Sequence, residues 1–269
     1  MGSARYSSKV AQRMQYLFVV TYGRSGSTVL LNLLNRLEGY CIRGENNGIA
    51  NHLGMSVSVL AEAQEHPHAK SHNPDAPWFG INDPKVDSWG QKLADAFVEE
   101  ILRPDPDTRV TGFKEIRFTA HETSLAEYES SIAFLTQYFP SARIIFNTRD
   151  WREVAESGWW RYESNMKRIR DLIEDADRRF EASAKALGDR AFLIDYADYK
   201  GKPDGFRPLL EWLGEEVDEA LLASVSQNWL VHLQKSHDDR GKFLRLKRAL
   251  SKRFAERAIK KSGETSMLS

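Results

Sequence analysis

Five short runs in this chain are built around β-branched and aromatic residues: YLFVV (16–20), YCI (40–42), RVTGFKEI (109–116), ARIIFNT (142–148) and AFLIDY (191–196). A strand that shows one face to water alternates apolar with polar residues, whereas a strand covered on both faces does not need to. Between the runs the spacing changes to that of helices. STVLLNLLNRL puts Val29, Leu30, Leu33, Leu34 and Leu37 on one side, and TSLAEYESSIAFLTQYF repeats the pattern until Pro140 stops it. Strands alternating with helices predict an α/β fold, a parallel β-sheet flanked by helices on both faces. With 269 residues and no linker or fixed-period repeat, the expectation is one domain over 1–269, disordered at 1–14 and 262–269.

Composition narrows the class of function. The 38 basic residues are matched by 38 acidic ones, so nothing global points to nucleic acid. One cysteine, Cys41, rules out an internal disulfide and a cysteine-rich zinc site, and fits a reducing compartment. No segment approaches the roughly 18 uncharged residues of a membrane span, and the first residues lack an apolar leader. A cytoplasmic protein is expected.

Charge is uneven along the chain. Between Lys235 and Lys261 eleven Lys or Arg face three acids, read as a solvated helix with Leu246, Leu250 and Phe254 inward, or as an anion-facing surface. HPHAKSHNPDAPWFGINDP (66–84) has no periodicity and reads as a long surface loop. Its His66, His68 and His72 lack any metal-ligand spacing, and no metal is expected. FRPLLEWLG and DEALLASV read as short helices beyond Pro203.

TYGRSGST (21–28) joins the first run to the first helix. Gly23 and Gly26 allow a tight turn and close approach to a ligand; Ser25, Ser27 and Thr28 offer hydroxyls; the following helix aims backbone N–H groups and its dipole at one spot. A Ser/Thr cap on a βα turn that binds nothing is the alternative. A nucleoside triphosphate loop would carry lysine where Ser27 stands, and here the cation, Arg24, comes early.

This turn resembles the 5′-phosphosulfate loop of sulfotransferases, which use 3′-phosphoadenosine 5′-phosphosulfate (PAPS). ARIIFNTRDWREVAESGWW strengthens the resemblance: Arg149 ends a strand and Ser157 follows eight residues later in the next helix, as in the family's 3′-phosphate grip. GFKEIRF looks like the family's central strand, and AFLIDYADYKGKPDGFRPLLEWLG is similar to its strand, acidic turn and helix. The stretch from about 80 to 100 and the extreme C-terminus resemble nothing in the family.

The resemblance implies a PAPS-dependent sulfotransferase with a P-loop-like fold and no metal. Gly23, Arg24, Ser25, Gly26, Ser27, Thr28, Arg149 and Ser157 would hold the nucleotide. Arg24 and Lys114 would neutralise charge on the leaving oxygen. Cytosolic small-molecule sulfotransferases resemble K-x-H-x-P at the central strand, but here Lys114 is followed by Glu115, Ile116, Arg117 and Phe118, so their histidine is missing. Carbohydrate-acting and tyrosyl-protein sulfotransferases place a glutamate soon after the first helix, and CIRGENNGI resembles that segment with Glu45 as the expected general base and Glu115 in reserve. A carboxylate among low-dielectric walls suits that task.

The expected acceptor is a hydroxylated small molecule or carbohydrate, and a homodimer is compatible with the family's habits. Lys235, Arg240 and Lys242 would close over the 3′-phosphate. Trp78, Trp89, Trp159 and Trp160 could stack on a base, line an acceptor pocket or pack in the core. The rival readings are a P-loop kinase or nucleotide phosphotransferase and a non-catalytic nucleotide-binding protein of the same fold.

Overall fold

The computed structural model describes residues 14–225. The sequence beyond them, including the basic C-terminal stretch, Lys235, Arg240, Lys242 and the two end segments apart from Met14, lies outside the described residues; Met14 itself is buried in the core.

Five strands form one parallel sheet: β1 (Gln15–Val20), β2 (Tyr40–Arg43), β3 (Val110–Glu115), β4 (Arg143–Thr148) and β5 (Ala191–Asp195). Their spatial order is β2-β3-β1-β4-β5, so the chain runs to one side of β1 for β2 and β3 and crosses to the other for β4 and β5. That reversal opens a crevice beyond the carboxyl ends of the central strands, where ligands of open α/β sheets bind. Thr21, Arg149 and the residues after Glu115 all leave the sheet there.

Alternation along each strand sorts the core into two layers, as a sheet covered on both faces requires. Tyr16, Phe18, Val20, Phe113, Ile144 and Phe146 face one layer; Leu17, Val19, Val110 and Ile145 face the other. The first is covered by α2 (Ile49–Glu65), α3 (Val86–Phe97), α4 (Leu125–Gln137) and α6 (Met166–Leu187), the second by α1 (Ser27–Leu34) and α8 (Arg207–Leu213). Two short helices, α5 (Trp151–Ala155) and α7 (Tyr196–Tyr199), sit between strands and longer elements.

Leu30, Leu33 and Leu34 are fully buried, each contributing about 1.5–3 kcal/mol, and so fix the direction in which α1 points. Gly54 of α2 lies so close to α4 that a Cβ would meet the Ser130 carbonyl oxygen at 2.6 Å. Asn51 bridges the same pair, donating to Thr123 Oγ1 at 3.1 Å and accepting from Ser131 Oγ at 2.6 Å. This fixes the start of α2, and with it the 44–48 segment that carries Glu45. The 66–84 segment forms turns without a helix or strand, as its composition predicts.

Candidate functional site

The 21–28 segment leaves β1 and turns sharply into α1. Arg24 has φ 73° and Gly26 φ 85°, both left-handed, a conformation that glycine adopts freely and arginine rarely. A Cβ on Gly26 would also strike the Tyr196 ring at 2.2 Å, and one on Gly23 the Trp159 ring at 2.3 Å. No side chain caps α1, and its first amide bonded back to a carbonyl is that of Val29, to Gly26 at 2.9 Å. The helix therefore presents unsatisfied N–H groups and the positive end of its dipole.

A buried network fastens this turn to β4. Asn147 Nδ2 donates to the Ser25 carbonyl at 3.0 Å, and Asn147 Oδ1 accepts from Tyr199 Oη at 2.6 Å. Thr21 Oγ1 lies 2.6 Å from the Asn147 carbonyl and 2.7 Å from Ser25 Oγ. Threonine has one hydroxyl proton and a carbonyl can only accept, so Ser25 donates to Thr21. The Ser25 hydroxyl thus points into the protein, and its contribution to a ligand is its amide. The Ser27 side chain is buried too, leaving Thr28 as the exposed hydroxyl of the three.

Arg149 and Ser157, more than 120 residues away in sequence, meet this turn through Arg24. Arg24 Nε donates to Ser157 Oγ at 3.1 Å, and Arg149 Nη1 donates to the Arg24 carbonyl at 2.8 Å. Ser157 does not stand in the helix after β4. That helix, α5, ends at Ala155, and Ser157 sits in the turn behind it, its amide bonded to Val154 at 2.9 Å and Gly158 following at φ 58°. A Cβ on Gly158 would fall 2.6 Å from Arg24 Nε, so the turn admits the guanidinium because a glycine follows the serine. A serine that accepts from Arg24 keeps its own proton to donate.

The Arg149 guanidinium is held on three sides. Glu153 Oε2 accepts from Nε at 3.2 Å and from Nη2 at 2.9 Å, and the Tyr196 ring lies 4.2 Å beneath it. Lys200 Nζ donates to both oxygens of Glu153 at 3.0 Å, so the acid is shared by two cations. Of the five N–H donors of Arg149, three are used among the described residues and two remain. Burial, then the positive charges of Arg149 and Arg161, hold the Arg24 guanidinium below the ordinary arginine range. Guanidinium groups still keep their charge. A cluster of mutually repelling cations beside an uncapped helix start is a site that an anion stabilises.

Glu45 and Lys114 come together across the mouth of the sheet. Lys114 Nζ lies 2.5 Å from Glu45 Oε1, with the lysine side chain 5% and the glutamate 45% exposed. Glu45 is therefore not walled by apolar groups; what distinguishes it is a buried lysine on one oxygen and solvent beside the other. Glu115 plays a different part. Its carboxylate accepts from the amides of Asn46 at 3.1 Å, Gly48 at 2.9 Å and Ile116 at 2.8 Å, and it is 1% exposed. It staples the 44–48 segment to β3.

Neither Tyr22 nor Asp177 stands out in the sequence. Tyr22 is fully buried; its Oη accepts from the Arg149 amide at 2.8 Å and lies 2.9 Å from Asp177 Oδ1 on α6. Burial first, then the charges of Asp195, Glu181 and Glu174, push the Asp177 carboxyl up to about 7, against the lowering effect of Tyr22's hydrogen bond. A carboxyl raised in the fold adds stability that is complete below its unfolded value near pH 4 and is lost as pH rises through 7. Asp177→Asn should therefore match the parent near pH 4 and become more stable by about 2 kcal/mol at pH 8, the three-unit shift being halved for partial exposure. Tm measured across that range checks it; a gap independent of pH would refute the assignment.

The remaining candidates are scattered. Trp159 and Trp160 belong to the turn: the first lies over Arg24, 5.8 Å from its ring centre, and Trp160 Nε1 donates to the Gly23 carbonyl at 3.3 Å. Trp78 stacks on His66 at 4.2 Å, and Trp89 donates to Ser56 at 3.1 Å. Among the described residues no three His, Cys, Asp or Glu gather as metal ligands, and no helix is long and apolar enough to cross a membrane.

A family model described as the sulfotransferase family matches residues 16–219, about three quarters of the chain. Among solved structures, sulfotransferase STF9 from Mycobacterium avium is similar at 17% identity and TM-score 0.40, over 84% of this chain and 70% of that one. Mouse sulfotransferase SULT7A1 complexed with PAP is similar at 12% identity and TM-score 0.43, over 82% of this chain and 66% of that one, slightly under two thirds of its length. No curated protein sequence matches.

Proposed function

The chain belongs to the sulfotransferase family, and on that premise we propose that it moves a sulfuryl group from PAPS to the hydroxyl of a small-molecule or carbohydrate acceptor. One observation carries the choice of donor. Arg24 and the Arg149–Ser157 pair, far apart in sequence, are bonded into one cationic surface at the uncapped start of α1. A donor with anionic groups at both its 5′ and 3′ positions fits a surface that has two such clusters of donors.

In this reading the amides of 25–28 and Arg24 hold the 5′-phosphosulfate, and the two spare N–H groups of Arg149 with the Ser157 hydroxyl hold the 3′-phosphate. The acceptor oxygen attacks sulfur in line, its S–O bond forming as the bond to the bridging phosphate oxygen breaks. Charge accumulates on that bridging oxygen, where Arg24 and Lys114 oppose it. The acceptor proton passes to the Glu45 oxygen that Lys114 does not occupy. Lys114, with three N–H donors and one engaged, can serve the base and the leaving group together. The free Cys41 supports a reducing, cytoplasmic setting.

Thermal shifts test the donor assignment. Adenosine 3′,5′-bisphosphate at about 100 times its Kd should add about 2.7 kcal/mol of stability, and ATP with magnesium much less. A preference for ATP would favour the kinase reading, which Ser27 in the place of the lysine opposes. Transfer of radiolabelled sulfate from PAPS to pooled hydroxylated metabolites then identifies the acceptor; no transfer to any of them, with the nucleotide bound, would favour a binding protein.

A further inference from the structure

Tyr22 lies on the seam between the two anion-binding segments, and its single phenolic proton has two possible acceptors. Burial and the neighbouring Asp177 push the phenol well above its ordinary pKa, so the group stays protonated. The Arg149 amide donates to Tyr22 Oη at 2.8 Å; Oη in turn lies 3.0 Å from the Arg149 carbonyl and 2.9 Å from Asp177 Oδ1. When Asp177 is ionised it takes the phenolic proton, and the Arg149 carbonyl loses this partner. When Asp177 carries its own proton it donates to Oη, which has a second lone pair for the Arg149 amide, and the phenolic proton turns to the Arg149 carbonyl. Only the second arrangement ties down both backbone groups of Arg149.

We propose that Asp177 is a positioning residue for the nucleotide: its protonated form, acting through Tyr22, holds the Arg149 backbone against the Arg24 turn and tightens binding of the 3′-phosphate. The inference rests on the nucleotide assignment made above. The charged groups acting on Asp177 agree with it. Asp195, at the end of β5, and Glu174 and Glu181, on α6 itself, are all acidic and favour the proton. From the turn after β1 comes the neutral Tyr22. Thr148, the last residue of β4, donates to Asp195 at 2.9 Å and leaves its charge in place. The two cations of the 149–155 segment are paired with acids of their own, Arg149 with Glu153 and Arg152 with Asp150. A bound bisphosphate adds negative charge on the far side of Tyr22, which favours the proton on Asp177 further. Nucleotide and proton therefore bind together, each strengthening the other.

Calorimetric titration of the full chain with adenosine 3′,5′-bisphosphate at pH 7, in buffers of different ionisation enthalpy, tests this. The parent should take up several tenths of a proton more than Asp177→Asn, since a group with a pKa near 7 is about half protonated there. From pH 6.5 to pH 8 its Kd should rise about 3–5 times more than that of the variant. Tyr22→Phe, which keeps the carboxyl and removes the relay, should lose the same pH dependence; a purely structural role would lower its Tm and leave the slope intact. Equal proton uptake by parent and Asp177→Asn overturns the proposal while the nucleotide assignment stands. Should that variant not fold, no net proton uptake by the parent does the same. A parent that binds no bisphosphate at any pH overturns both.

Discussion

Glu45→Gln is expected to bind adenosine 3′,5′-bisphosphate at least as tightly as the parent and to lose about 10²-fold or more in turnover. The two effects have opposite signs because they have separate causes. Glutamine keeps the shape and an oxygen for Lys114 Nζ, now 2.5 Å from the carboxylate, but it cannot take the acceptor's proton. It also leaves the Lys114 charge, on a side chain only 5% exposed, without its counter-ion. That uncompensated charge attracts the anionic donor more strongly. Single-turnover rates with saturating PAPS, beside calorimetric Kd values, separate the two contributions. A near-parental rate would remove Glu45 from the role of base. A loss of affinity as large as the loss of rate would mean that the glutamate only orders the site.

Arg149→Met is expected to weaken the bisphosphate by about 10²–10⁴-fold, because two charge-assisted hydrogen bonds of about 1.5–3 kcal/mol each disappear with the guanidinium. Methionine keeps an unbranched apolar stem of similar length and removes the guanidinium that lies 4.2 Å from the Tyr196 ring centre. Adenosine 5′-monophosphate has no 3′-phosphate, and its affinity should scarcely change. Glu153 remains neutralised by Lys200, 3.0 Å away, so the variant does not strand a buried charge. Calorimetry with both nucleotides gives the comparison directly. Equal losses for the two would show that Arg149 supports the turn, whose Arg24 carbonyl it also binds, and does not read the 3′ position.

Much of the fold was legible in local pattern. The five apolar runs correspond to the five strands, and STVLLNLL and LAEYESSIAFLTQ to α1 and α4, because covered strands and amphipathic helices declare themselves by periodicity. The turn at 21–28 was legible too, since a left-handed bend next to a helix start demands glycine and small residues. Strand order was not. Placing β1 between β3 and β4 depends on pairings between residues about 95 and 125 positions apart, which leave no mark within either strand.

The site divides in the same way. Arg24, Arg149, Glu45 and Lys114 could be named as candidates because charged residues at strand ends stand out against apolar neighbours. Glu45 ranks ahead of Glu115 as base only through the family resemblance. Glu115 and Glu45 look alike in sequence, yet one is spent on three amides in the interior and the other meets a lysine at the surface. The spacing of Ser157 from Arg149 allows a helix, while the chain instead ends that helix at Ala155 and turns at Gly158. Tyr22 and Asp177 gave no signal at all.

From the chain alone came a doubly covered parallel sheet, an anion-seeking turn at its first strand and the cations able to serve it, all properties that neighbours in sequence impose on each other through backbone geometry and periodic burial. Only the folded molecule decided that Arg24 would join Ser157, that Lys114 would take Glu45 as its partner, and that a carboxyl on α6 would reach the 149 strand end through Tyr22. Hydrogen bonds act over about 3 Å, so they are set by which distant segments the sheet order brings side by side.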